Sequence, residues 1–387
     1  MSPQQSSVLE DPGVGAETVD LFVPGRVCLF GEHSDWAGQY REENAEIPVG
    51  YCILSGTHEG LYARAELHPT HLKLQCRLSD DTTHTAEWEA TPENLQELAK
   101  RGEWYSYICG VLLVFQQQYL PENSQCRGLI LDNYKTTLPV KKGLSSSAAV
   151  CVLVARALGQ LHSLGLDIRQ EMDLAYHGEI QTPSRCGRMD QGCAYGPEKV
   201  ILMTFDGPEL HVEPIEPLPT KKDEAESIEL ILVDLHASKN TPAILSGLQE
   251  GYPFAKTDIQ KGVHYLLGEF NHSLQKRALR ALQQCNAQEL GQCMADAQAS
   301  FDEYAMPACP AHLTSPVLHK VLTYPPLLPH IWGGKGVGSQ GDGSAQLVAK
   351  SQHDRDQVIA ILERDLGMSC ISLSLGGKKP DATSRAK

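Results

Sequence analysis

Leu138–Val150 reads LPVKKGLSSSAAV: a proline-started loop, a glycine, three consecutive serines and an apolar, alanine-rich run. Ala148–Leu161 (AAVCVLVARALGQL) has the composition of a buried helix, so Gly143–Ser147 falls where the chain enters it. At a helix entry the first backbone N–H groups lack partners, and the positive end of the helix dipole lies behind them. Glycine and serine are small enough for an anion to approach the backbone. The segment therefore reads either as a phosphate cradle or as a serine-rich N-cap with no ligand.

On either side of this segment the pattern alternates between strand and helix. Val19–Val23 and Arg26–Phe30 read as strands flanking Pro24–Gly25, and Cys52–Ser55, Leu61–Leu67 and His71–Leu78 have the character of an antiparallel sheet. Helices are expected over Pro92–Lys100, Trp104–Tyr119 and Ile168–Gln181, with short strands at Gly128–Leu131 and Val200–Phe205. The proline- and charge-rich stretch before the strand Leu230–Leu235 suits a domain boundary. Beyond it the chain reads as mainly helical from Asp258 to Tyr304, then a helix over Pro316–Leu322. A glycine-dense loop, Gly333–Ser344 (GGKGVGSQGDGS), leads into a strand at Ala345–Val348, a helix at Asp354–Leu366 and a strand at Ser369–Leu375. This is an α+β pattern in two halves.

A chain of 387 residues can bury a large core and suggests two domains. Its net charge of −15 offers no general basic field for nucleic acid or an anionic membrane. Twelve cysteines, none in a CxxC pair, point to reduced thiols, many in the core, and to a cytoplasmic protein without a structural zinc site. The apolar runs are far shorter than a membrane span.

Pro24–Gly38 (PGRVCLFGEHSDWAG) places Glu32, His33 and Asp35 together after an apolar strand. Two carboxylates beside an imidazole suit the donor hydroxyls of a polyhydroxylated ligand, and metal binding would need further convergent ligands; the other reading is a solvated charged turn. Asp190, in the small-residue loop SRCGRMDQGCAYG, reads either as an acceptor for the proton of an attacking hydroxyl or as an ordinary turn aspartate.

Three segments, in this order, resemble the GHMP small-molecule kinases, and among them the sugar 1-kinases of galactokinase type. PGRVCLFGEHSDWAG is similar to that branch's opening signature, GLSSSAAV to the superfamily's phosphate loop, and CGRMDQ to the segment bearing the catalytic aspartate. Thr314–Leu322 (TSPVLHKVL) and the Gly333–Ser344 region resemble the family's late helix and third, glycine-rich motif, so that the likeness runs over nearly the whole chain. It implies a two-domain α+β fold: an N-terminal ribosomal-protein-S5-like domain (17–215) and a C-terminal ferredoxin-like domain (216–375), with the active site in the cleft between them. A loose lead-in (1–16) and a tail (376–387) would flank these. It also implies ATP and Mg²⁺ as cofactors. Lys141, Gly143, Leu144, Ser145, Ser146, Ser147 and Ala148 would bind the nucleotide, and Ser147 and Glu179 the metal, Glu179 being otherwise an exposed helix residue. Asp190 would orient or deprotonate the substrate hydroxyl with Arg26 in support, while Glu32, His33, Asp35 and Trp36 would hold the sugar.

The chain departs from the family pattern at several points. Lys141 stands where the phosphate loop has an extra glycine, so Lys141 and Lys142 are either phosphate contacts or solvated loop residues. Trp36 replaces the branch's tyrosine, either giving the substrate site a different outline or anchoring the core. Asp342 stands among the glycines of the third motif, and Lys239 and Thr241 match the family's lysine-x-threonine segment only weakly. The expected activity is phosphorylation of a monosaccharide or close relative at its anomeric hydroxyl by a monomer or homodimer. The alternatives are a catalytically silent sugar-sensing regulator on the same fold, and a kinase for a non-sugar alcohol.

Overall fold

The computed structural model describes residues 17–78, 82–121, 127–138, 143–184, 186–216, 227–237 and 239–375; the expected lead-in and tail, and Lys141 and Lys142, lie outside the described residues. In chain order the strands are β1 (Thr18–Phe30), β2 (Gly50–His68), β3 (His71–Arg77), β4 (Thr83–Glu89), β5 (Gly128–Thr136), β6 (Val200–Asp206), β7 (Glu209–Pro214), β8 (Ile228–Asp234), β9 (Ile331–Gly336), β10 (Ser344–Ala349) and β11 (Ser369–Leu375). By compactness the chain falls into two units interleaved in sequence: Met1–Arg26 with Gly56–Pro197, and Val27–Ser55 with Glu198–Lys387.

In the first unit β4, β3, β5 and the later part of β2 lie side by side; β3 runs parallel to β5, and the other pairs are antiparallel. β3 buries Leu72, Leu74 and Cys76 on alternate positions, the pattern of a sheet with one covered face. The helix Ser146–Leu161 buries eleven residues and is apolar nearly all round, which places it in the interior. The helix Ile168–Glu179 starts in a capping box between Asp167 and Gln170. It lies backbone to backbone with Ser106–Gln118: a Cβ on Gly110 would stand 2.2 Å from the Gly178 carbonyl oxygen. Arg156 grips Glu171 through two nitrogens and donates to the Ala194 carbonyl at 2.8 Å, fixing the segment that follows Asp190.

In the second unit Gly50–Ser55 of β2 pairs with β6, and β6 with β7. A separate antiparallel sheet has the order β11-β8-β10-β9. The helices Pro316–Leu322 and Gln352–Leu366 pack on it through Leu318, Val321, Val358 and Leu362. The expected helical stretch consists of Asp258–Tyr265, a π-helical turn at Leu266–Phe270, Asn271–Gln283 and Ala287–Tyr304.

Local differences from the sequence reading have physical causes. β1 is one strand through Pro24–Gly25, not two; Gly25 is needed there because a Cβ would meet Leu138 Cδ1 at 2.4 Å and the Leu144 carbonyl oxygen at 2.9 Å. β4 (THTAEWE) is polar and mostly exposed, and forms by pairing with β3. β7 occupies part of the stretch expected as a boundary. The first glycines of the Gly333–Ser344 stretch belong to β9, where Gly333 permits close packing: a Cβ there would stand 2.1 Å from the Gly291 carbonyl oxygen.

Candidate functional site

The serine segment of the first unit is strained at its turn. Gly143 (φ 77°) and Ser145 (φ 54°) are both left-handed, and the helix begins at Ser146. Ser145 occupies the N-cap position without making a side-chain bond to the helix, and its hydroxyl is buried with no hydrogen-bond partner. The cap reading therefore finds no bond at Ser145. Leu144 and Ala148 are buried apolar supports of this turn.

Arg26, 4% exposed, ties the segment to the candidate acid. Its backbone N–H donates to the Leu144 carbonyl at 3.1 Å, Nη1 donates to the Gly143 carbonyl at 2.9 Å, and Nη2 donates to the Asp190 carboxylate. Asp190 opens the 3₁₀ turn Asp190–Tyr195 and keeps part of its side chain accessible. Glu179, at the end of its helix, is completely buried and so is not an exposed helix residue. Gln191 donates to it at 2.9 Å, and the Ser147 hydroxyl also hydrogen-bonds it. Burial, then the nearby Asp190 charge, push its pKa up to about 7 against the pull of these hydrogen bonds.

These groups suit a nucleotide phosphate with its magnesium ion. The helix entry carries no side-chain cap from Ser145, a buried serine hydroxyl lacks a partner, and Ser147, Glu179 and Asp190 supply the hard oxygens Mg²⁺ prefers. No cluster of three or more His, Cys, Asp or Glu side chains able to hold a metal occurs among the described residues, so phosphate and water oxygens would have to complete the coordination.

In the second unit the turn after β1 is also strained: Gly31 has φ 90° and His33 φ 72°. A Cβ on Gly31 would stand 2.1 Å from the Tyr51 carbonyl oxygen, so only glycine fits. From the helix Asn271–Gln283, Asn271 donates to Ser34 Oγ at 2.9 Å and to the Tyr51 carbonyl at 3.0 Å, and Gln275 donates to the same carbonyl. Glu32 is buried in an ion pair with Lys335 of β9. His33, 4% exposed, accepts from Trp36 Nε1 at 3.1 Å on Nδ1, which leaves the proton on Nε2. Nε2 faces the Ser339 main chain without closing a well-formed hydrogen bond. Burial, and secondarily Lys239, lower the pKa of His33 to about 4, keeping the ring neutral. Asp35, in the first turn of the helix Ser34–Gln39, is also buried.

Trp36 packs against Tyr40, Tyr252 and the core cluster around Ile244 and Val263, with its indole N–H spent on His33. Lys239 donates to the Val337 carbonyl at 3.3 Å and Thr241 bonds Ser339, so the lysine-x-threonine segment meets the third glycine-rich motif. Asp342 accepts from the Leu318 N–H at 2.8 Å and thereby caps the helix Pro316–Leu322. Sequence reading missed Lys335, Asn271 and Gln275. Only the glycine-dense setting of Lys335 offered a signal, and nothing in the helix marks the two amides.

Residues 106–197 match the family model of the GHMP kinases N terminal domain. The galactokinase of Pyrococcus furiosus is 30% identical over 199 residues, 51% of this chain and 49% of that protein. The chain thus spans about half the length of the relatives it matches. Among solved structures, Lactococcus lactis galactokinase complexed with galactose superposes with TM-score 0.66 at 17% identity, covering 94% of both chains. L. major mevalonate kinase in complex with R-mevalonate also gives TM-score 0.66, at 19% identity over 96% of this chain and all of that one. The family match thus rests on residues 106–197, and over nearly its whole length the chain shares the fold of these kinase structures. Curated proteins similar to it include the galactokinases of Pyrococcus furiosus and Haemophilus influenzae, and its fold is also like that of mevalonate kinase.

Proposed function

We propose that this protein is an ATP- and Mg²⁺-dependent kinase that phosphorylates a monosaccharide or close relative at its anomeric hydroxyl. One observation carries the reading: a single buried guanidinium, Arg26, binds both the Gly143 carbonyl of the serine segment and the carboxylate of Asp190. A phosphate-binding turn and a proton acceptor held by the same side chain are what phosphoryl transfer to an alcohol requires.

Gly143–Ser147 receives the nucleotide phosphates at the helix entry that Ser145 leaves uncapped, and Ser147 and Glu179 hold the metal. When bound, Mg²⁺ neutralises phosphate charge and fixes phosphate geometry. Asp190 accepts the proton of the sugar hydroxyl or orients that hydroxyl, and Arg26 holds the carboxylate in place. His33 presents a neutral N–H donor; Asp35 and the paired Glu32 present acceptors to the sugar's other hydroxyls. The galactokinase relatives favour a sugar over a non-sugar alcohol. The protein acts in the cytoplasm, as a monomer or homodimer, on the two-domain plan implied by the family.

The test is ADP release in the presence of Mg²⁺ across free monosaccharides, uronic acids and cyclitols, with mevalonate and homoserine alongside. Release with a sugar alone is expected. Release only with mevalonate or homoserine contradicts the substrate class, and no release with any alcohol contradicts the enzyme reading. Asp35→Ala is expected to raise the sugar KM about tenfold or more while the ATP KM stays within about twofold; equal losses of both contradict its role.

A further inference from the structure

The Lys335 side chain is 1% exposed, and that of Glu32 7%. An ammonium and a carboxylate buried to this degree depend on each other, because either left alone is a desolvated, uncompensated charge. Lys335 Nζ donates to the Glu32 carboxylate and to the Gly336 carbonyl at 3.0 Å. The Gly336 N–H donates to Gln298 Oε1 at 2.8 Å, and Gln298 Nε2 donates to Asp302 at 2.9 Å. The ammonium is therefore held by a strand that is itself anchored to the helix Ala287–Tyr304. Its partner carboxylate sits in the turn bent by left-handed Gly31 and His33, a conformation that persists only where neighbours over-determine it.

We infer that Lys335 is a positioning residue of the proposed sugar site. It fixes the Glu32 carboxylate, and through it the strained turn that carries His33 and Asp35, in the one pose that receives the substrate's hydroxyls. With one carboxylate oxygen bound to the ammonium, Glu32 meets the sugar as half of an ion pair, in a pose set by Lys335. This rests on the sugar-kinase reading of that turn.

The test is a double-mutant cycle on sugar and ATP KM with Glu32→Gln, Lys335→Met and the two combined. Each single change is expected to raise the sugar KM about tenfold, leaving the ATP KM within about twofold, and Lys335→Met is expected to add less than about twofold to Glu32→Gln. Equal effects of Lys335→Met in both backgrounds overturn the inference, as does an unchanged sugar KM in a less stable protein. Since loss of charge can prevent folding, a second set keeps both charges: Glu32→Asp shortens one side of the pair and Lys335→Arg lengthens the other. Each alone is expected to raise the sugar KM, and the combination to recover most of the loss; no recovery overturns direct pairing. Wild-type protein in the same assay separates the two readings. Sugar-dependent turnover without coupling removes only the role of Lys335, while absence of turnover with every sugar removes both.

Discussion

Arg26 meets two partners with two nitrogens, a task that depends on the shape of its side chain as much as on its charge. Lysine carries one nitrogen and cannot hold Gly143 and Asp190 in the same fork. Arg26→Lys is therefore expected to lower turnover about 10–100-fold, measured by steady-state kinetics; full retained turnover contradicts the bridging role. Ser147→Ala is expected to raise the Mg²⁺ concentration needed for half-maximal activity, and an unchanged requirement moves the metal away from Ser147. The acids and the serine triplet were legible because their residue types occur in compact runs. Lys335 was not, since its meaning depends on an ion pair with a residue 303 positions away. Trp36 was legible as a bulky residue beside acids, but its setting among Tyr40, Tyr252 and His33 is visible only in the folded chain.

Elements place these residues through contacts that tolerate little change. A Cβ on Gly178 would stand 2.5 Å from Val111 Cα, so Gly178→Ala must push apart the helices that position Glu179. A loss of about 1–3 kcal/mol is expected in urea unfolding, and an unchanged midpoint contradicts the close approach. Asp342→Ala removes the cap of Pro316–Leu322 and should cost about 1 kcal/mol by the same measurement; no loss means that another group caps the helix. Composition revealed most of the helix Ser146–Leu161, whose alanine-rich run is buried nearly all round, and the local pattern at Ile168–Gln181 revealed the helix Ile168–Glu179. β4 and the glycine portion of β9 left none: the first is held by its neighbour β3, the second by tight packing against Gly291.

At the scale of the molecule, the two units alternate along the chain, Val27–Ser55 joining the later residues, an arrangement no linear reading reveals. No helix among the described residues is long and apolar enough to cross a membrane. Stability should depend on pH through His33, whose pKa falls from 6.5 to about 4 on folding. The unfolded chain takes up this proton near pH 6.5, and the folded one only near pH 4. Stability is accordingly lost as pH drops through that window, by up to about 3 kcal/mol, and His33 contributes no slope above it. Glu179 acts in the opposite sense, its raised pKa removing stability as pH rises from about 4.5 to 7. The comparison that isolates the histidine is therefore wild type against His33→Gln, by urea unfolding at pH 5 and pH 7. Wild type should lose more on acidification, and equal losses contradict a buried neutral ring.

The central claim is that Asp190 serves the hydroxyl while the serine segment holds the nucleotide, and Asp190→Asn separates the two. Sugar-dependent ADP release and calorimetric ATP binding, measured on the same preparation, are expected to show turnover lowered about 10²–10⁴-fold with ATP affinity within about threefold of wild type. Near-normal turnover in that variant would contradict the account.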